Sequence, residues 1–317
     1  MSRTIRDDER EQQQAENDGR SRMTASQGRG GDGGSESTER RREFNHERGV
    51  SGGRGGPCAR HSDSRYREPV RVRSRVYDLS PAERQTIAEI GLFRTVAVED
   101  LATFRYAGND NHVRQDLANL QAQRLIQRRT VSLPKGQGTL AVVVLTQEGK
   151  RVARQDLELQ SDQSVYAGFV KPNEVVHDAA IYRMYQAEAA RIEAEGGSVK
   201  RVVLDYELKQ KVYSPLAKAR NLPAVAYIER QAEIARANGL TVVKGKIPLP
   251  DLRIEYETRD CDMAKVDLEL ATEHYRGSHV KAKASAGFQF YAANPRSSAR
   301  LTAVFDDHDL TGEILSL

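Results

Sequence analysis

The stretch that decides the fold is Ile247–Lys283, IPLPDLRIEYETRDCDMAKVDLELATEHYRGSHVKAK. In Leu252-Ile254-Tyr256 and again in Val266-Leu268-Leu270, apolar residues fall on every second position, the period of a half-buried strand. The opposite face of the first strand carries Asp251, Arg253, Glu255 and Glu257, and that of the second carries Asp267 and Glu269, with Thr258 to Ala264 between them. If the strands are neighbours, five carboxylates share one sheet surface, and like charges across a sheet repel unless water, basic groups or a divalent cation intervene. Magnesium is commonly held by one or two carboxylates together with substrate phosphates. Asp251, Asp267 and Glu269 are therefore candidate Mg²⁺ ligands, and Lys281 and Lys283 candidate catalytic lysines, of a phosphodiester-cleaving site. The bland reading of the same pattern is a solvated face of an antiparallel sheet.

Working outward, 317 residues suffice for about two domains. Charged residues make up 30% and hydrophobic ones 38%, with no Trp, and no apolar run approaches the roughly 18 residues of a membrane span. The N-terminus lacks a signal-peptide core, so the expectation is a cytoplasmic protein without membrane contact. Cys58 and Cys261 lie in unlike contexts and read as free thiols. A net charge of +4 and a pI near 9.0 suit a polyanionic partner if the basic residues cluster.

Residues 1–76 contain no Lys and are dominated by Arg, Gly, Ser, Glu and Gln, which predicts a disordered Arg/Gly-rich tail. Its part from Ser51 to Arg75 has seven Arg against Asp63 and Glu68, so it either adds phosphate contacts or serves as a solubilising arm.

Residues 77–155 predict a winged helix-turn-helix. Ser80-Pro81-Ala82-Glu83 is a capping box opening a helix that carries Ile87 and Ile90 and stops at Gly91. A second helix covers Val98 to Arg105, with Leu101 and Phe104 inward. A third follows the caps Asn109-Asp110, with Val113, Leu117 and Leu120 at helical spacing. Its outward face shows Asn111, His112, Arg114, Gln115, Ala118 and Asn119, mostly types that reach base edges or phosphates. Strands Ile126 to Leu133 and Thr139 to Leu145 then flank Pro134 to Gly138, and this wing places Arg128, Arg129 and Lys135 on phosphates. The plainer alternative for this segment is a protein-contact module with ordinary exposed arginines. Double-stranded DNA is the preferred partner because the polar helix face and basic wing occur together.

A polar linker, Gln155 to Gln163, leads to an α/β domain over 165–317. It starts with a helix from Asn173 to Glu195 ended by Gly196-Gly197; His177-Asp178 sits in its first turn, where an acid suits the helix dipole, the preferred reading, and a site role for either residue is the lesser one. Val199 to Leu204 reads as a strand, Leu208 to Asn221 and Ala224 to Asn238 as helices, and Thr241 to Val243 as a short strand. A helix from Ser278 to Tyr291 and a C-terminal helix complete the chain.

With a winged helix in front, His177-Asp178 opening a helix, Pro250-Asp251 starting a strand, Val266-Asp267-Leu268-Glu269 and a lysine-bearing helix behind, the chain resembles the replication-relaxation family over about Ser80 to Tyr291. That resemblance implies a protein of plasmids and integrated elements, related to mobilisation relaxases, with a restriction-endonuclease-like α/β domain. It implies Asp251 as the first metal-ligating acid, Asp267 with Glu269 as the acidic pair, and Lys281 or Lys283 as the charge-stabilising lysine. Here Glu269 is followed by Leu270 and Ala271 and not by a lysine on the same strand, so the lysine has to come from the next helix. Two functions follow: DNA binding in replication control or mobilisation, and Mg²⁺-dependent relaxase-like nicking, with a metal-bound water, Tyr275 or Tyr291 as attacking group. Relaxosome or replication proteins and a second copy of the chain are the further partners expected.

Overall fold

In the computed structural model, residues 66–133, 138–156, 161–172, 174–272, 275–308 and 310–317 are described. Most of the expected tail, and Lys135, lie outside them. The last part of that tail is a folded hairpin, β1 (Glu68–Val72) and β2 (Arg75–Leu79), with Val70 opposite Tyr77. Val70, Val72, Tyr77 and Leu79 are buried in the main core. Each strand contributes only two such residues among arginines, too few for a periodic signal.

Helix α1 (Pro81–Leu92) has the full capping box: Ser80 Oγ accepts from Glu83 N at 3.2 Å, and the Glu83 carboxylate accepts from Ser80 N at 2.9 Å. Gly91 does not end it. A Cβ there would lie 3.0 Å from Leu145 Cδ1 and Val165 Cγ1, so this glycine admits close packing inside the helix. Next come β3 (Val96–Ala97), then α2 (Val98–Asp100) continuing as a π-helical turn, Leu101–Arg105. Leu101 is buried, but Phe104 is 46% exposed rather than inward. Asn109 caps α3 (Asp110–Ala122) by accepting from His112 N, and Val113, Leu117 and Leu120 face the core. Strands β4 (Ile126–Ser132) and β5 (Thr139–Leu145) pair antiparallel, giving a three-stranded sheet in the order β3-β5-β4. Helix α4 (Gln147–Asp156) then packs on α1 and β1.

The second half is built on α5 (Val175–Ala194), closed by Gly196 at φ +83. Strand β6 (Ser198–Leu204), the helical pair α6 (Asp205–Ala219) and α7 (Ala224–Ala237), and strands β7 (Leu252–Glu257) and β8 (Met263–Ala271) follow. Thr241 to Val243 forms no strand; Val243 makes one bridge to Lys246. Helix α8 (Gly277–Ser285) is shorter than expected because Gly287, at φ +86, turns the chain into β9 (Gln289–Ala292). Phe290 and Tyr291 are therefore strand residues. The C-terminal part is α9 (Pro295–Asp307) and a strand, β10 (Ile314–Ser316), where a helix was expected. The sheet order is β10-β9-β8-β7-β6; β6, β7 and β8 form an antiparallel meander, and α8 crosses over so that β9 runs parallel to β8.

The two halves share one core. A single hydrophobic cluster runs from Val70 and Leu120 to Leu252 and Leu270. Phe93 meets Tyr182 edge-on at 5.1 Å, and the Tyr182 hydroxyl donates to Glu89 at 2.7 Å. The chain that leads out of the expected linker is fixed on this core. Val165 is buried under Gly91, Tyr166 N donates to Gly91 O, and Gly168 N to Leu145 O, each at 2.8 Å. No helix among the described residues is long and apolar enough to cross a membrane.

Candidate functional site

Pro248 and Pro250 keep the approach to β7 extended, and Asp251 stands at its head. Its N–H donates to Leu268 O, and the β7–β8 register, with Leu252 opposite Leu268, continues so that Asp251 lies across from Glu269. Both carboxylates project from the face that also carries Arg253 and Asp267. The crossover after β8 returns α8 over this end of the sheet and brings Lys283 and Tyr275 onto Glu269: the ammonium and the hydroxyl both donate to Oε1. The other oxygen, Oε2, is buried and has no hydrogen-bond partner, while the Glu269 side chain as a whole is 2% exposed. On the far side His177, in the first turn of α5, places Nε2 at 3.5 Å from Asp251 Oδ1. Leu270 N donates to Asp251 Oδ2 at 3.0 Å.

The charges are set by burial and by these partners. Burial raises the Asp251 carboxyl, but His177, Lys283 and the Leu270 N–H outweigh it and hold it at about 2. Burial and then the Asp251 charge push Glu269 up to about 7, with Lys283 and Tyr275 pulling back. Burial disfavours the His177 imidazolium, yet Asp251, Asp178 and Glu269 overcome it and raise the group to about 9. Asp178 is lifted to about 6 by burial, against Arg94 and His177. Two neighbouring carboxylates pushed apart in this way, beside a cleft, make this the candidate functional site. A small cleft opens here between the halves, lined by Phe93, Arg94, His177, Asp178, Asp205 and Asp251.

The three proposed metal ligands do not converge as a set. Asp267 is held by Arg253, which donates from Nε at 2.6 Å and from a terminal nitrogen at 2.9 Å, and the same guanidinium donates to the Asn238 and Gly239 carbonyls at the end of α7. This bidentate pair gives the Asp267 charge a partner inside the protein and does not require a cation. Glu255 and Glu257 are likewise matched, by Arg201 at 3.4 Å and Lys200 at 2.5 Å. Among the described residues, no group of three or more His, Cys, Asp or Glu is placed to hold a metal ion. What remains is a two-carboxylate site, Asp251 and Glu269, whose orphaned Oε2 fits Mg²⁺, since this ion takes one or two protein carboxylates and completes its shell with phosphate and water.

Lys283 reaches the acids, whereas Lys281, two positions away on α8, is exposed and points elsewhere. Tyr275 is at the site. Tyr291 is not available to attack: it is 1% exposed, and its hydroxyl donates to the buried Glu188 at 2.7 Å. On α3, Asn111, Arg114, Gln115 and Ala118 are exposed, and His112 is half-buried. Asn119 is committed inward, its amide donating at 2.8 Å to the buried Glu83. On β4, Arg128 and Arg129 are exposed, and Arg129 stacks 3.9 Å over the Phe169 ring. His177 stands out in sequence only with Asp178 at the start of a helix, and Arg94 carries no signal there. Compared with protein-family models and with curated proteins, the chain matches none.

Proposed function

We propose that this chain is a DNA-binding protein of a plasmid or mobile element whose α/β half cleaves a phosphodiester of DNA with a divalent cation. The observation that carries the cleavage reading is the meeting, at one sheet end, of an ionised buried Asp251, a Glu269 with an unpartnered oxygen, and Lys283. The element order α5-β6-α6-α7-β7-β8-α8-β9, with β6, β7, β8 and β9 adjacent in one sheet, supports a restriction-endonuclease-like core. The order α1-β3-α2-α3-β4-β5, with the sheet arranged β3-β5-β4, supports a winged helix in which α3 enters the major groove. Asn111, Arg114 and Gln115 then face base edges, and Arg128 the backbone.

Asp251 and Glu269 would hold Mg²⁺, which when bound supplies Lewis-acid polarisation of a phosphate oxygen. The protein's own groups do the rest. His177 and Leu270 N–H keep Asp251 ionised, Tyr275 fixes Oε1 of Glu269 so that Oε2 stays open, and the Lys283 ammonium offsets negative charge growing on the phosphoryl group. The test is nicking of supercoiled plasmid with Mg²⁺ or Mn²⁺ by the full chain and by Asp251→Asn. Metal-dependent nicking lost in the variant supports the assignment, and equal nicking by both would remove it.

A second reading, DNA binding in replication control without cleavage, is favoured by the internal counter-charges: His177 on Asp251 and Lys283 on Glu269 neutralise both acids without a cation. It requires salt-sensitive, Mg²⁺-independent binding to duplex DNA and no strand cleavage.

A further inference from the structure

The β1–β2 hairpin carries a concentration of positive charge that the proposed DNA interface leaves unused. Arg71 lies opposite the exposed Val76 on its outer face, Arg73 forms the turn with Ser74, and Arg75 stands at the rim, where its charge reaches Glu148 of α4. All three arginines are exposed, and among the described residues Arg71 and Arg73 have no ion-pair partner. Arg73 has φ +55, a left-handed conformation that a two-residue hairpin turn usually assigns to Gly, Asn or Asp. Holding an arginine there costs backbone strain. That cost is without a packing return, because the side chain is in solvent.

The root of the hairpin is rigid with respect to α3. Gln123, the C-cap of α3, grips the Asp78 main chain twice: its carbonyl accepts from Asp78 N and its amide donates to Asp78 O, both at 2.9 Å. Arg67 donates to Glu83, the same carboxylate that receives Asn119 of α3. The tip is braced by Gln155 of α4, which donates to Arg71 O at 2.9 Å. Four residues of strand from Asp78 to Ser74, at about 3.3 Å each, put the turn roughly 13 Å beyond the point that Gln123 holds. In sequence, Arg54, Arg60 and Arg65 lead into this hairpin against Asp63 alone.

We propose that the hairpin is a second DNA-contacting element, gripping the phosphate backbone of the duplex beside the segment read by α3 with Arg71, Arg73 and Arg75. This rests on the DNA-binding reading above. The test compares the full chain, Arg71→Gln/Arg73→Asn/Arg75→Gln and, separately, Arg114→Ala, by fluorescence anisotropy on a mixed-sequence duplex over a series of NaCl concentrations. Asn suits the left-handed turn, so the triple variant keeps the hairpin, and an unchanged thermal melt checks this. Loss of two to three phosphate contacts makes the plot of log affinity against log salt shallower by about 2 to 3, with Arg114→Ala weakening binding separately. Duplex binding by the full chain with the same slope in the triple variant overturns the hairpin proposal and leaves the α3 reading standing. Failure of the full chain to bind any duplex overturns both.

Discussion

Two acid–base clusters lie on one face of the same two strands, one step apart, and they are resolved in opposite ways. Toward the middle of the β7–β8 hairpin, Arg253 and Asp267 face each other in register, and the guanidinium bonds both Asp267 oxygens and two backbone carbonyls. At its head, Asp251 faces Glu269, an acid opposite an acid, with Glu269 Oε2 buried and unpartnered. The first arrangement is what a sheet does to stabilise a charged face. The second is tolerated at a cost, and buried like charges with an open oxygen are how a fold holds a cation or a reacting group ready.

If the proposed cleavage reading holds, the largest effect that separates the two clusters is on nicking. Asp251→Asn and Glu269→Gln should each lower plasmid nicking on the order of 10³-fold, whereas Asp267→Asn should leave most of it. Nicking lost equally in all three would erase the distinction. Stability should run the other way. Asp267→Ala strands the Arg253 guanidinium, 5% exposed, with only two carbonyl acceptors and should cost about 3 kcal/mol in denaturant unfolding. Glu269→Gln removes a repulsion and should be neutral or stabilising.

Acidity sharpens the contrast further. Glu269, raised from 4.5 to about 7, contributes stability that is complete below pH 4.5 and is lost as pH rises to 7. His177, raised from 6.5 to about 9, contributes below 6.5 and stops contributing above 9. Asp251, lowered from 3.8 to about 2, contributes above 3.8 and loses this as pH falls toward 2. The denaturant midpoint should therefore be highest near pH 4 and fall from there toward pH 9. Glu269→Gln should flatten the fall between 4.5 and 7, and an unaltered profile would count against the charge assignment. The smallest effect belongs to α8. Lys281→Ala should change neither nicking nor stability by more than about 0.5 kcal/mol equivalent, while Lys283→Ala should lower nicking at least about a hundredfold. A loss with Lys281→Ala would place the wrong lysine at the site.

Much of this was legible because it is local. The capping box at Ser80 and Glu83, the caps of α3 and the alternation in β7 and β8 need only neighbours a few residues apart. Partner choice across strands was not. Asp267 and Glu269 have the same spacing signal, and only the register shows that one meets Arg253 and the other Asp251. Asn119 looked like its α3 neighbours until Glu83, 36 positions earlier, claimed its amide. His177 showed in sequence only as half of the His177-Asp178 pair that opens a helix, and its contact with Asp251, 74 positions away, had no local signal. The β1–β2 hairpin and β9 were missed because each offers too few alternating residues, and Gly91 was misread because a glycine that stops a helix and one that admits a close neighbour look alike in sequence.

The segment between the halves has one more effect. The Gln163 amide donates to Val202 O at 2.8 Å, and its carbonyl accepts from Val202 N at 2.9 Å, the two bonds a neighbouring strand would make. β6 is an end strand of the five-stranded sheet. A single buried side chain thus occupies the docking point that an open sheet edge offers to another chain, and it guards this rim of the fold against strand-by-strand self-assembly.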